Sequence, residues 1–297
     1  MSLSHYNLLS LTLFISTFEC RSIAGAAKAN NIAASAVSKR ISDIEDRKRV
    51  SLFHRRRDGV EPTPAGQAFY RQARLVRDIL NRLDAEISEY ADGAQGVVRI
   101  SANSSAVTQF LPDDIAAFNA HFPKVRFDLH EATSGQSVNA VLNGSADLAI
   151  FSEHAAHRGL RTRVYRRDTL MVVMPDGHPL STKASVTLAQ TLPFDHIGLQ
   201  DDSSLQARIR SAAELLGKQV RTRVNVLSFE GVRRMIEAGL GISVLPEGVV
   251  LPYLGSTSIA AVALNETWAT RTLLIGYRDA SSLTQTCRHL IDFLTPT

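Results

Sequence analysis

The sequence predicts an α/β protein preceded by a small, largely helical N-terminal head and one long helix. Three observations lead there. At 297 residues the chain exceeds what one hydrophobic core usually organises. Its charge is uneven: residues 1–77 carry 13 Lys/Arg against six Asp/Glu, net +7, and the rest carries 20 against 23, net −3. The hydrophobic spacing also changes, from a helical period before Gly93 to alternating strand and helix segments after Gly96. Apolar residues at 44% and charged residues at 21% describe an ordinary globular chain, which excludes a disordered one. A basic head on a mildly acidic body implies that the head alone meets a polyanion.

Within the head, Leu8, Leu11, Ile15 and Phe18 recur at helical spacing and give a first helix with one buried face. Ser22 can cap a second, short helix, "SIAGAAKAN", whose alanines and Gly25 allow close approach of a neighbour. Asn30-Asn31 is a turn signal, because Asn tolerates the left-handed conformation. A third helix places Val37, Ile41 and Ile44 inward and Ser35, Ser38, Lys39 and Ser42 outward. Two short helices around a tight turn, the second apolar inside and hydroxyl-rich or basic outside, match a helix-turn-helix. Then "SLFHRRRDGVEPTPAG" supplies apolar anchors at Leu52 and Phe53, a hairpin turn at Asp58-Gly59, and Arg55, Arg56 and Arg57 on the hairpin arm. An isolated Arg triplet is usually a solvated charge run. Placed directly after a helix-turn-helix, it reads as a wing that lays cations on a phosphate backbone or in the minor groove.

Taken together, "SIAGAAKANNIAASAVSKRISDIED" and "LFHRRRDGVEPTPAG" resemble the winged head of LysR-type transcriptional regulators. Ser22, Ala26, Ala27, Val37, Ser38, Ile41, Glu45, Leu52, Phe53, Arg55, Thr63 and Gly66 occupy the places of that family's pattern. Ala34-Ser35 stand where the family usually has Gln-Pro or Thr-Pro, and Lys48-Arg49 where it commonly has a glycine turn. Ala34 has no group to hydrogen-bond a base edge, so the docking mode transfers and the operator sequence does not. The resemblance implies double-stranded promoter DNA as partner, held by Ser22, Ala33, Ala34, Ser35, Ser38, Lys39, Arg40, Arg55, Arg56 and Arg57.

From Thr63-Pro64 a helix is predicted to Asp92, with Phe69, Ala73, Val76, Leu80, Leu83, Ile87 and Tyr90 at alternating spacings of four and three, the pattern of a coiled-coil seam. Such a stripe also suits a lone amphipathic helix on its own domain. The resemblance favours self-association, to a dimer or tetramer, with RNA polymerase as a further partner. Gly93 and Gly96 then supply a hinge.

Beyond the hinge, "VVRISA", "VRFDLHEA", "ADLAIF", "LMVVMP", "FDHIGLQ", "VRTRVNVLS" and "TRTLLIGYR" read as strands alternating with helical segments, so a parallel sheet is expected, with a terminal helix near 283–294. "FLPDDIAAFNAHFPKV", "LNGSADLAI", "MVVMPDGHPL" and "IEAGLGISVLPEGVV" resemble the effector domain of the same family, which has the two-lobed type 2 periplasmic-binding-protein fold. The expected domains are a winged helix-turn-helix at 1–62, a linker helix at 63–92 and an effector-binding domain at 93–297. Its first lobe covers about 94–162 and 267–297, and its second about 163–266.

Ligands of open α/β lobes sit where strands hand over to helices, and free helix N-terminal N–H groups favour anions. Three such junctions are rich in hydroxyl or amide groups: Asn103-Ser104-Ser105, Thr133-Ser134-Gly135 and Leu227-Ser228-Phe229. Any single Ser there is commonly a helix cap. The resemblance adds Gln200 and Ile242 to a cleft for a small-molecule effector, which the junctions' N–H groups would favour as an anion; Glu230, if it points inward, would instead favour a neutral or cationic one.

The two cysteines, Cys20 and Cys287, form no ligand spacing, which leaves no metal or disulfide framework, and Cys20 reads as a buried free thiol. No cofactor is expected. "LLSLTLFISTFEC" lacks a preceding basic residue and a cleavage site, and no apolar run is long enough to span a membrane, so the chain reads as cytoplasmic with no membrane partner. An enzyme is the rival class. Ser104, His130 and Asp147 are imaginable as a triad, yet there is no G-x-S-x-G elbow, H-E-x-x-H helix or glycine-rich phosphate loop. A plain solute-binding protein would explain the body but not the basic head.

Overall fold

The structure is a computed structural model and describes residues 7–56, 59–92, 96–200 and 202–295; the side chains of residues 78, 81, 82, 84–86, 88–92 and 282 also lie outside the description. Apart from Asn143–Ser145, the chain divides at Ala91/Asp92 into two compact units.

The first unit contains α1 (Leu8–Cys20), α2 (Ile23–Ala29), α3 (Ala34–Lys48), the hairpin β1 (Phe53–Arg56) and β2 (Gly59–Pro62), and α4 (Pro64–Asp92). Local chemistry sets the boundaries. Asn7 Oδ1 accepts from Leu9 N and Ser22 Oγ from Gly25 N, so both helices begin on a side-chain cap. Asn31 turns the chain with φ 54°, as its residue type allows, and Arg49 ends α3 with φ 51°, the left-handed conformation for which glycine is the usual choice.

The predicted face of α1 needs correction. Leu8 is exposed, and the helix is buried on two sides. Leu13 and Phe14 join Val37, Ile41, Ile44 and Leu52 in the head core, whereas Leu11 and Ile15 pack with Ala73 of α4. A helix enclosed by neighbours on two sides needs more than one apolar stripe. Cys20 is exposed rather than buried, because it closes the last turn of α1 where the chain reverses through the left-handed Arg21.

The second unit is built from β3 (Val97–Ala102), α5 (Ser104–Gln109), α6 (Leu111–His121), β4 (Arg126–Glu131), α7 (Ser134–Leu142), β5 (Leu148–Ser152), β6 (Arg161–Pro175), β7 (Ser185–Val186) and α8 (Leu188–Thr191). It continues with β8 (His196–Leu199), α9 (Ser204–Leu215), β9 (Thr222–Val226), α10 (Phe229–Glu237), β10 (Ser243–Pro246), α11 (Glu247–Val250), β11 (Ile259–Leu264), β12 (Thr270–Tyr277) and α12 (Gln285–Leu294).

The expected parallel sheet is in fact mixed. Its order is β4-β3-β5-β12-β6-β11-β7, with β10 also on β6. β3 runs parallel to β4 and β5, but β12 is antiparallel to both β5 and β6. The expected lobe boundary at residue 163 falls inside β6. That strand pairs with β12 as far as Thr169 and with β10 and β11 from Leu170 onward, so one strand serves both lobes. Each lobe nevertheless has its own apolar core, one around Phe118, Leu148 and Ile150, the other around Val172, Ile197 and Val244. The first half of β6, "RTRVYRRDT", was not legible as a strand because its outward residues are charged and the edge of the apolar run lies further on. Among the described residues, no helix is long and apolar enough to cross a membrane.

Candidate nucleic-acid interface and ligand cleft

In the head, α3 buries Val37, Ile41 and Ile44 and exposes Ala33, Ala34, Ser35, Ala36 and Lys39. Ala33 occupies the N-cap without a side-chain cap bond, so the first turn presents its N–H groups among small side chains. Arg55 reaches from the wing across this helix, its Nη2 3.2 Å from Ser38 Oγ and 3.4 Å from Ser42 Oγ. The wing itself is held by Glu45, whose Oε1 accepts from Leu52 N at 2.6 Å and Phe53 N at 3.1 Å. Thr63 Oγ1 donates to Ser51 O at 2.7 Å and accepts from Gly66 N at 3.0 Å, and a Cβ on Gly66 would lie 2.0 Å from Leu52 O. These contacts explain why Glu, Thr and Gly stand at those positions.

The other predicted DNA residues are placed differently. Arg56 pairs with Glu61 across the hairpin at 3.0 Å, which offsets its charge. Arg40 is a correction: its Nη1 donates to Ser10 Oγ of α1, 3.2 Å away, which turns it off the exposed face. Ser22 serves as the α2 cap, and Arg57 lies outside the described residues.

The long helix divides its predicted stripe. Ala73 is buried against α1, and Phe69 packs on the same cluster. Val76, Leu83 and Ile87 are exposed, the latter two at 55% and 61%, with Ile79 beside them and Leu80 half-buried. The side chain of Tyr90 lies outside the described residues, as does Gly93 of the predicted hinge.

In the second unit, Asn103, Ser104, Ser105, Ser134, Gln200 and Phe229 line one polar compartment, together with Thr133, Ser203 and Ser204. Much of its polarity is internally satisfied. Asn103 caps α5 through Ala106 N and donates Nδ2 to Ser134 Oγ. Ser134 is buried; its Oγ also accepts from Ser152 N at 3.2 Å and donates to Ser204 Oγ at 3.2 Å. Ser105 Oγ accepts from Arg271, which is 2% exposed and holds Asp168, 8% exposed, between the paired strands β6 and β12. Gln109 Nε2 donates to the same Asp168. Two predicted residues are corrected here. Ile242 is buried in the second core, its N–H donating to Asp195 O, and does not line the compartment. Gly135 is exposed, with nothing within 4 Å of where a Cβ would be, and lies off the lining.

A second compartment of about 700 Å³, its open mouth included, adjoins through Ser104 and Phe229. Ser228, which caps α10, and Thr108 line it as well, with Val173, Leu245, Val250, Ile259 and Tyr253 as its apolar wall. Glu230 does face it, paired with Arg233, whose guanidinium holds the Glu230 carboxyl below its ordinary range. Elsewhere in this unit, Arg208 of α9 contacts His154, whose pKa is pushed down by burial first and by the Arg208 charge second.

Residues 8–67 match the "Bacterial regulatory helix-turn-helix protein, lysR family", and residues 91–297 match the "LysR substrate binding domain". The chain belongs to the LysR family of transcriptional regulators. It is a DNA-binding regulator with an effector-binding domain, not an enzyme. The transcriptional dual regulator GltC of Bacillus subtilis is 24% identical over 214 residues, which is 72% of this chain and 71% of GltC. The nitrogen assimilation regulatory protein nac of Escherichia coli is 23% identical over 256 residues, covering 85% of this chain and 82% of nac. The fold is similar to that of CbnR, a LysR family regulator solved full-length with its target DNA: TM-score 0.75, 18% identity, 97% of this chain and 99% of that one. The effector-binding domain of QuiR, solved with shikimate, aligns at TM-score 0.61 and 18% identity over 68% of this chain and 96% of that one.

Against that LysR-family background the imagined triad dissolves: Asp147 is taken by Arg99 through both carboxylate oxygens, and Ser104 donates to Glu131 at 2.6 Å. Sequence reasoning missed Glu131, Thr108, Arg233 and Tyr253. Glu131 ends a strand just before a predicted junction, a signal that was available; Tyr253 lies in a short turn and had none.

Proposed function

We propose that this regulator sets α3 into the major groove of promoter DNA, pairs with a second copy through α4, and changes its grip on DNA when a small molecule occupies the cleft between the lobes of its second unit. The working parts are a DNA-binding head at 1–62, a linker helix at 63–92 and an effector-binding unit at 93–297. It acts in the cytoplasm, where promoter DNA lies, and RNA polymerase is the machinery such a regulator influences.

The observation that carries the DNA-docking reading is the first turn of α3, exposed, uncapped by any side chain, and flanked by Lys39 and the wing's Arg55. Backbone N–H groups and cations of this kind grip phosphates, while small side chains let the helix approach base edges closely. Pairing through α4 is supported by Val76, Ile79, Leu83 and Ile87, apolar side chains exposed along it. An effector acts only through its different affinity for the open and closed lobes, so a coupling of about 1–3 kcal/mol is expected.

Fluorescence anisotropy of the full chain on its own upstream DNA in rising salt tests the docking. Affinity should fall steeply with salt; a flat dependence rejects the proposal. Sedimentation of the double variant Leu83→Asp, Ile87→Asp tests the pairing, since two carboxylates in the seam should leave monomers.

A further inference from the structure

We infer that the effector of this cleft is an amphiphilic cation, a protonated amine on an apolar body, seated in the compartment beside Glu131. This deepens the proposal that the lobes hold the effector between them, and rests on it. The compartment is large enough for a metabolite-sized molecule, and Val173, Leu245, Val250 and Ile259 with the rings of Phe229 and Tyr253 form an apolar wall. The wall asks for an apolar body.

The charges decide the headgroup. Among the described residues, three charged side chains line the compartment: Glu131, Glu230 and Arg233. Arg233 is already held by two carboxylates. Its Nε donates to Glu230 Oε2 at 2.9 Å, its two terminal nitrogens contact Glu230 and Glu237, and its guanidinium stands 4.4 Å from the centre of the Tyr253 ring. A ligand carboxylate would have to take it from two existing carboxylates. Glu230 is matched by the same Arg233, which leaves Glu131 as the charge on this wall with no cation facing it among the described ion pairs. Its described side-chain partner is the Ser104 hydroxyl on Oε1. An anion entering would face a carboxylate of its own sign at the edge of the apolar wall; an amine would pair with it. The neighbouring polar compartment does not reverse this, because Ser134, Asn103 and Ser105 already bond to one another or to Arg271.

Calorimetric titration of the full chain with 2-phenylethylamine, 2-phenylethanol and 3-phenylpropionate separates charge from shape, since all three carry the same ring on a short chain. The amine should bind at least tenfold more tightly than the alcohol, with the carboxylate weakest. Glu131→Gln should abolish that preference, and Glu131→Asp, which keeps the charge, should retain most of it. Tightest binding by the carboxylate, an amine preference unchanged in Glu131→Gln, or silence of all three probes overturns the inference. Thr108→Trp, which fills the compartment from an exposed helical position, separates the two levels. Carboxylate binding that this variant abolishes would retain the cleft and discard the cation. Binding of any probe that it leaves intact would place the ligand elsewhere and discard both.

Discussion

The recognition helix and the ligand cleft were marked by the same kind of residue, serines and small polar side chains at helix starts, yet the structure treats them oppositely. On α3, Ser35 and the alanines around it stay exposed, and the N-cap has no side-chain partner. In the cleft, Asn103, Ser105 and Ser134 bond to one another, to a backbone N–H or to the Asp168–Arg271 pair. The exposed first turn of α3 leaves its N–H groups without a side-chain acceptor, open to an external polyanion. A concave site brings polar groups within reach of each other, and burial makes leaving them unpaired costly. Hydroxyls at a helix start therefore mean different things on the two surfaces.

The strongest way to break this comparison is at the buried pair beneath the cleft. Arg271→Met leaves Asp168 charged and enclosed, and should destabilise the second unit by about 3–5 kcal/mol. Chemical unfolding followed in that unit checks it; a loss below about 1 kcal/mol would mean that the cleft floor is not the rigid polar network described. Next comes a matched pair of serines. Ser134→Ala removes the acceptor of Ser152 N and Asn103 Nδ2 and should cost about 1–3 kcal/mol. Ser35→Ala should stay within about 0.5 kcal/mol in unfolding while shifting DNA preference, as expected for an exposed position. Equal stability losses for the two would erase the distinction.

Within the head itself, Arg55→Ala should reduce the slope of log affinity against log salt by about one, the signature of one lost phosphate contact. Arg56→Ala should change it less, because Glu61 already offsets that charge. Anisotropy titrations of both variants decide, and the reverse order would show that Arg56 leaves Glu61 on DNA. A modest gain in stability is expected at Arg49, whose φ of 51° strains a side chain. Arg49→Gly should stabilise the head by roughly 0.5–1 kcal/mol, net of the extra freedom glycine gives the unfolded chain. A melting temperature that falls instead would assign the Arg49 side chain a contact worth more than the strain.

The helix-turn-helix, the wing and the long helix are legible in the amino-acid order, because each rests on short-range relations: a cap and the N–H it binds, a tolerant Asn in a left-handed turn, an apolar face at helical spacing. Ser22, Asn31, Val37, Ile41 and Ile44 lie where those relations put them. The remaining features depend on residues far apart in the chain. Whether Leu11 and Ile15 meet α4 or the head core, that Arg40 turns to Ser10, that Ile242 is buried, and that Asp168 meets Arg271 from 103 positions away are all set by which elements pack together. The sharing of β6 by both lobes and the setting of Glu131 on an apolar compartment belong with them, since no periodicity in one segment encodes the neighbours that a folded sheet brings to its edge.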